Sequence, residues 1–172
     1  RTTLAPAQNL GPLAAEAEAM AMRAMDALDM VGLLAVEMFV TPDGRLLANE
    51  MAPRPHNSGH WTQQGCSTSQ FEQHIRAVLN LPLGSTELIG TSAMVNIIGC
   101  TAFSRDLIGI PDVHLHWYGK EVRKKRKMGH INVVAKSHAS LGKKLKQLVE
   151  FLPVEYFPKL ESEATRLEKE KN

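Results

Sequence analysis

Two β-rich runs, Leu33 to Thr41 and Leu46 to Ala52, flank Pro42-Asp43-Gly44, and this stretch constrains the chain more than any other. Proline presets φ, aspartate bonds its own backbone and glycine accepts positive φ, so the runs are predicted to form a β-hairpin. Each run carries one glutamate, Glu37 or Glu50. Side chains alternate along a strand, so register decides whether the two meet. A four-residue loop, Pro42 to Arg45, sets Glu37 directly opposite Glu50. A two-residue loop sets Glu37 opposite Ala48, with Glu50 diagonal to it on the same face. Only a loop of odd length separates them. Facing carboxylates repel, and a divalent cation resolves the conflict, because Mg2+ is commonly held by one or two carboxylates together with substrate phosphates. The plain alternative is a pair of solvent-facing hairpin residues. The apolar neighbours Leu33, Ala35, Phe39, Leu46 and Ala48 argue against a fully wet face.

Directly after Glu50 the chain reads Met51-Ala52-Pro53-Arg54-Pro55-His56-Asn57-Ser58-Gly59-His60-Trp61. Two prolines reduce the conformations open to this loop, so its polar groups can be held ready for a ligand. Arg54 offers a planar fork for a carboxylate or phosphate. His56 and Asn57 can donate to an anion or to polar ligand atoms. The competing reading is a surface loop whose polar groups meet water.

Elsewhere the pattern is that of an α+β protein. Leu13, Ala17, Met20, Ala24 and Leu28 recur at helical spacing between Gly11 and Met30, predicting a helix with one stripe on a core. The stretch Pro53 to Gly65 has no periodicity and reads as loop. Ser69 and Glu72 are placed as a capping box for a helix with Phe71, Ile75 and Val78 on its apolar face, ended by Pro82. Thr91 to Ile98 reads as a buried strand. Short strands follow around Val113 to Tyr118 and His130 to Ala135, then a helix with Leu141, Leu145, Leu148 and Leu152 on one stripe. Lys159 to Asn172 is highly charged and is predicted to be a solvated or frayed helix. The organisation expected is a body over 1–100, a small β-rich domain over 101–158 and a charged tail over 159–172.

Charge and cysteines narrow the function classes. The net charge of +2 implies neither a nucleic-acid nor a membrane partner. Lys120 to Lys127 nevertheless holds six cations and one anion, a local balance of +5. It lacks the broader basic field and interleaved aromatics of a nucleic-acid surface. Cys66 and Cys100 show no metal spacing and read as reduced thiols of a cytoplasmic protein. No apolar run approaches the roughly 20 residues of a membrane span. The chain opens at Arg1, in mid-pattern, so a preceding segment is expected.

The strings Ala35-Val36-Glu37-Met38-Phe39-Val40-Thr41-Pro42-Asp43-Gly44 and Asn49 to Trp61 closely resemble the ATP-grasp core of the 5-(carboxyamino)imidazole ribonucleotide synthetase family. The likeness continues through Thr68 to His74 and Leu81 to Gly84. It resumes at His114 to Arg123 and Arg126 to Asn132, covering most of residues 1–135. The glutamate hairpin specifies only the ATP-grasp superfamily; the HNSGHW and GKEVR…RKMGHIN strings look specific to this family. The resemblance implies the C-terminal part of an ATP-grasp domain followed by a small β-rich domain, a rudimentary hybrid motif. It implies a purine-biosynthesis ligase that carboxylates aminoimidazole ribonucleotide with ATP and bicarbonate through carboxyphosphate. Glu37 and Glu50 would hold Mg2+ (or Mn2+) against ATP, with Asn49 beside the nucleotide. Arg54, His56 and Asn57 would line the bicarbonate and imidazole end, and Lys120 and Arg126 would grip the ribonucleotide 5′-phosphate. Relatives form homodimers, and the same is expected here. Lys124-Lys125 stand where relatives often have Pro-Gly, a minor change of turn.

The family's N-terminal domain and lysine-bearing subdomain do not precede Arg1, and no Walker-type glycine loop replaces them. The 172 residues by themselves are therefore not expected to turn over. A different ATP-grasp ligase, such as a relative of biotin carboxylase or the glycinamide ligases, would keep the glutamate pair without the HNSGHW string. A non-catalytic oligomerisation fragment would need neither.

Overall fold

A computed structural model describes residues 2–8 and 10–170. The hairpin forms from β2 (Ala35–Val40) and β3 (Leu46–Ala52). Its turn is neither of the even loops, four-residue or two-residue, weighed from the sequence. Thr41 N–H donates to Arg45 O at 2.9 Å and Gly44 N–H to Thr41 O at 2.9 Å, leaving a three-residue loop, Pro42 to Gly44. Gly44 sits at φ +78, the left-handed position such a turn requires. From there Val40 pairs with Leu46 and Met38 with Ala48. An odd loop alone would bring Asn49 opposite Glu37. A β-bulge between Met38 and Glu37 shifts the register by one residue, and Glu37 pairs with Glu50 after all.

Helix α1 (Leu13–Ala27) lies against this hairpin, yet none of its residues is fully buried. The predicted stripe is half-covered rather than sunk in a core, with Leu13, Ala17, Met20 and Ala24 partly buried and Leu28 exposed.

The main sheet is antiparallel in the order β1-β4-β6-β5, from β1 (Thr2–Ala5), β4 (Thr91–Ile98), β5 (Val113–Trp117) and β6 (Lys127–Ala135). Alternation gives it two faces of different chemistry. One presents Val95, Ile97, Ile131 and Val133 to α4 (His138–Val149) and α5 (Leu160–Glu168), where the core lies. The predicted stripe Leu141, Leu145, Leu148 and Leu152 is buried there. The start of α4 is capped reciprocally: Ser137 Oγ accepts from Ser140 N–H at 3.2 Å and Ser140 Oγ from Ser137 N–H at 3.0 Å. Residues 160–168 are not a frayed helix: Leu160, Ala164 and Leu167, buried among the charges, dock α5 on α4. Lys171 and Asn172 lie outside the described residues.

The other face carries polar groups, Ser92, His130 and Asn132, all about 1% exposed. They receive the segment after β3. That segment is not plain loop, since it holds a 3-10 turn (Asn57–Gly59) and a one-turn helix, α2 (Thr62–Gly65). A side chain at Gly65 would collide with Ser92 Oγ and the Trp61 ring, so only glycine lets α2 approach β4 this closely. α3 (Gln70–Val78) follows, and only half of the expected capping box forms: Ser69 Oγ accepts from Glu72 N–H at 3.3 Å, while the Glu72 carboxylate accepts from Arg76 instead. Its predicted apolar face is largely uncovered, Ile75 and Val78 being more than half exposed. The helix ends ahead of Pro82, where Asn80 takes a positive φ of 53°. Cys66 and Cys100 are buried free thiols. Among the described residues no helix is long and apolar enough to cross a membrane.

Candidate active site

The bulge that restores the hairpin register also builds the site. Glu37 and Glu50 face each other, and Asn49, the extra residue on β3, donates Nδ2–H to Glu37 Oε2 at 3.3 Å. β3 then leads through Pro53 and Pro55 to His56, a buried side chain whose Nε2 lies 3.6 Å from one oxygen of each glutamate. Ligand atoms of Glu37, Glu50 and His56 all fall within 4.8 Å of one another. His56 Nδ1 accepts from Ser58 N–H at 3.3 Å, so Nε2 carries the ring proton and directs it between the carboxylates. Two facing carboxylates with a single imidazole N–H between them remain short of positive charge. The pair of oxygen donors fits a hard divalent cation, while a protonated Nε2 suits contact with the carboxylates better than metal ligation.

His56 is held in place by a residue that sequence reasoning missed. Buried Gln70, the first residue of α3, accepts from His56 N–H at 3.0 Å and donates to His56 O at 2.8 Å. His60 Nδ1 lies 2.8 Å from the same carbonyl and 2.9 Å from Gln70 Nε2. Gln70 thus grips both backbone polar groups of His56. A glutamine opening a helix normally reads as solvated, and only its burial, a long-range property, shows otherwise.

The loop is pinned from below by the polar face of the sheet. Asn132 donates to His60 O at 3.0 Å and to Gln64 Oε1 at 2.7 Å. His116 and His130, partners across β5 and β6, stack with centroids 4.4 Å apart. Their outer nitrogens reach Gln64 Oε1 at 3.0 Å and Gln63 Oε1 at 3.2 Å. Tyr118 O–H lies 2.6 Å from His130 Nδ1. Burial, reinforced by His116, drives His130 down to about 3, so the stack is made of neutral rings. Burial lowers His60 and His116 as well and raises Tyr118.

The structure thus brings Glu37, Asn49, Glu50 and His56 together. Asn57 stands beside them with its Oδ1 accepting from Lys127 Nζ. Arg54 is exposed and turned back on Pro55 O at 3.1 Å, which leaves part of its fork free. Lys120 Nζ sits 5.0 Å from the Tyr118 ring centroid. Arg126 donates to Glu121 O at 3.3 Å, within its own loop.

Residues 1–71 match the ATP-grasp domain family, and residues 92–144 match the phosphoribosylaminoimidazole carboxylase C-terminal domain. The N5-carboxyaminoimidazole ribonucleotide synthase of Vibrio cholerae is 46% identical over 166 residues, 96% of this chain and 44% of that protein. The crystal structure of N5-carboxyaminoimidazole ribonucleotide synthetase from Thermus thermophilus superposes with a TM-score of 0.83 at 52% identity, over 88% of this chain and 42% of that one. The Aspergillus clavatus synthase, solved in complex with ADP and 5-aminoimidazole ribonucleotide, superposes at 0.80 with 36% identity, over 87% and 43%. The fold is that of part of an ATP-grasp enzyme. Within that class, the chain belongs to the N5-carboxyaminoimidazole ribonucleotide synthase family. It spans less than half the length of the relatives it matches.

Proposed function

We propose that the chain is the metal- and substrate-binding part of an ATP-dependent carbon-nitrogen ligase that converts aminoimidazole ribonucleotide, ATP and bicarbonate into 5-(carboxyamino)imidazole ribonucleotide, ADP and phosphate. The observation that carries this reading is the convergence of Glu37, Glu50 and His56 beside a basic segment that reaches the same loop. The names of the relatives and the ligands of the Aspergillus clavatus structure support it.

Glu37 and Glu50 would hold Mg2+ or Mn2+, which when bound supplies positive charge to the phosphates of ATP. Asn49 keeps Glu37 oriented by donating to its carboxylate and would stand beside the nucleotide. His56 holds a proton toward the carboxylates from a fixed backbone, a geometry suited to orienting bicarbonate or carboxyphosphate beside the metal. Arg54, from the exposed side, offers its free N–H groups to the same anion. Asn57 would meet the imidazole. Lys120 and Arg126 would bind the ribonucleotide phosphate. The charge pattern and free cysteines fit a cytoplasmic enzyme, and a homodimer is the assembly the family suggests.

The test is to join the chain to the N-terminal part of the Vibrio cholerae relative and assay ADP release. The expected result is release that needs both aminoimidazole ribonucleotide and bicarbonate and is lost in Glu50→Gln. The 172 residues alone are expected not to turn over. Release indifferent to the ribonucleotide, or undiminished in Glu50→Gln, would contradict the reading.

A further inference from the structure

The extended backbone of His56 belongs to no strand, so its buried polar groups need partners from elsewhere. Its carbonyl has several: Gly59 N–H donates to it at 3.0 Å, Gln70 Nε2 donates at 2.8 Å, and His60 Nδ1 lies 2.8 Å away. Its N–H has one among the described residues, Gln70 Oε1 at 3.0 Å. The ring is held at Nδ1 by Ser58 N–H, but that bond is local and travels with the turn. The Gln70 amide is anchored outside the turn, on α3. Gln70 is tied down in its own right: its N–H donates to Thr62 Oγ1 at 2.9 Å, and that hydroxyl donates to Gly59 O at 2.7 Å. Gly59 completes the fit, because a Cβ there would stand 2.5 Å from Gln70 Oε1 and displace the amide. The outcome is an Nε2 that stands 3.6 Å from one oxygen of each glutamate. That is just beyond hydrogen-bond length, so a small shift of the His56 main chain decides whether the ring meets the carboxylates.

We propose that Gln70 is a positioning residue of this site, its amide setting through the His56 main chain where the imidazole stands against Glu37 and Glu50. This deepens the proposed function and rests on its reading that these three side chains act together. Partners that orient the groups meeting a metal or substrate commonly account for about 10–100-fold in affinity or activity. Gln70 does so from the first turn of α3, with Gly59 leaving the space it needs.

The experiment follows the His56 ring nitrogens by NMR in the whole chain, with isotopically labelled histidine and no metal. The double substitution Glu37→Gln, Glu50→Gln should move the Nε2 signal, because the ring N–H faces those carboxylates. Made in a Gln70→Met background, which keeps the volume and loses both amide bonds, it should move the signal far less. Gln70→Glu keeps an acceptor for the His56 N–H and should retain most of the response. Gly59→Ala displaces the amide without altering it, so it should reduce the response as Gln70→Met does, even where Gln70→Met fails to fold. In the chain joined to the Vibrio cholerae N-terminal part, Gln70→Met should lower kcat about tenfold or more and leave KM for the ribonucleotide within about twofold. A purely structural role would lower the melting temperature and spare the His56 response. An undiminished response in both Gln70→Met and Gly59→Ala, or unchanged turnover, would overturn the proposal and leave the proposed function standing. No response in the unaltered chain would overturn it together with the joint action of the three side chains. Loss of the response in the variants of a chain that takes up no Mn2+ would remove the metal and leave the positioning role in place.

Discussion

Acidification should loosen this protein from the middle of its polar face. His130 is about 1% exposed and stacked on His116, with His60 edge-on at 5.2 Å and Lys127 close enough to oppose its protonation. Its folded-state value of about 3 lies far below the unfolded value of 6.5. Between those two the unfolded chain binds a proton that the folded chain refuses, so stability is fully present above pH 6.5 and falls as pH drops toward 3. Each pH unit inside that window costs about 1.4 kcal/mol. From pH 6.5 to pH 5 His130 alone should remove about 2 kcal/mol, a large share of an ordinary domain's stability. His60 and His116, lowered for the same reason, add to the loss. Urea unfolding at pH 7.5, 6 and 5 measures it, with His130→Gln as the comparison. The variant should start less stable but lose markedly less between pH 7.5 and 5. Parallel pH profiles for the two proteins would refute the argument, because the loss would then belong to other groups.

Gln70→Ala should cost about 1–3 kcal/mol in denaturant unfolding, because it strands the buried N–H of His56; a change under 0.5 kcal/mol would mean that water replaces the clamp. Gly65→Ala should cost about 1–3 kcal/mol by pushing α2 off β4, and near-neutral behaviour would show that the approach is not tight. Leu145→Ala, at the centre of the buried α4 stripe, should cost about 2–5 kcal/mol in the same assay.

How much of this was legible in the sequence depended on range. Period and turn chemistry are local, so the Pro-Asp-Gly reversal, the β4 strand and the leucine stripe of α4 could be read directly. The meeting of Glu37 and Glu50 was expected for the wrong structural reason. The loop is odd, and the bulge that compensates depends on pairing between strands, which no local signal reports. The helix of α5 was expected but its docking was not, because Leu160, Ala164 and Leu167 are its only large or buried apolar positions among charged neighbours. β1 is four residues long and has meaning only beside β4. α2 completes a single turn, too short for a period to appear. At the site, residue types suggested Arg54, His56 and Asn57, but not that Gln70 clamps one and Lys127 holds another.

The central claim is that the hairpin carboxylates form a divalent-cation site. It is tested most directly by adding substoichiometric Mn2+ to isotopically labelled chain and following paramagnetic broadening of amide signals. Loss should be earliest at Met38, Asn49 and Met51, which adjoin Glu37 and Glu50, while α4 and α5 stay sharp. The Glu37→Gln, Glu50→Gln double variant should abolish the effect. Broadening centred elsewhere, or unchanged in the double variant, would contradict the account.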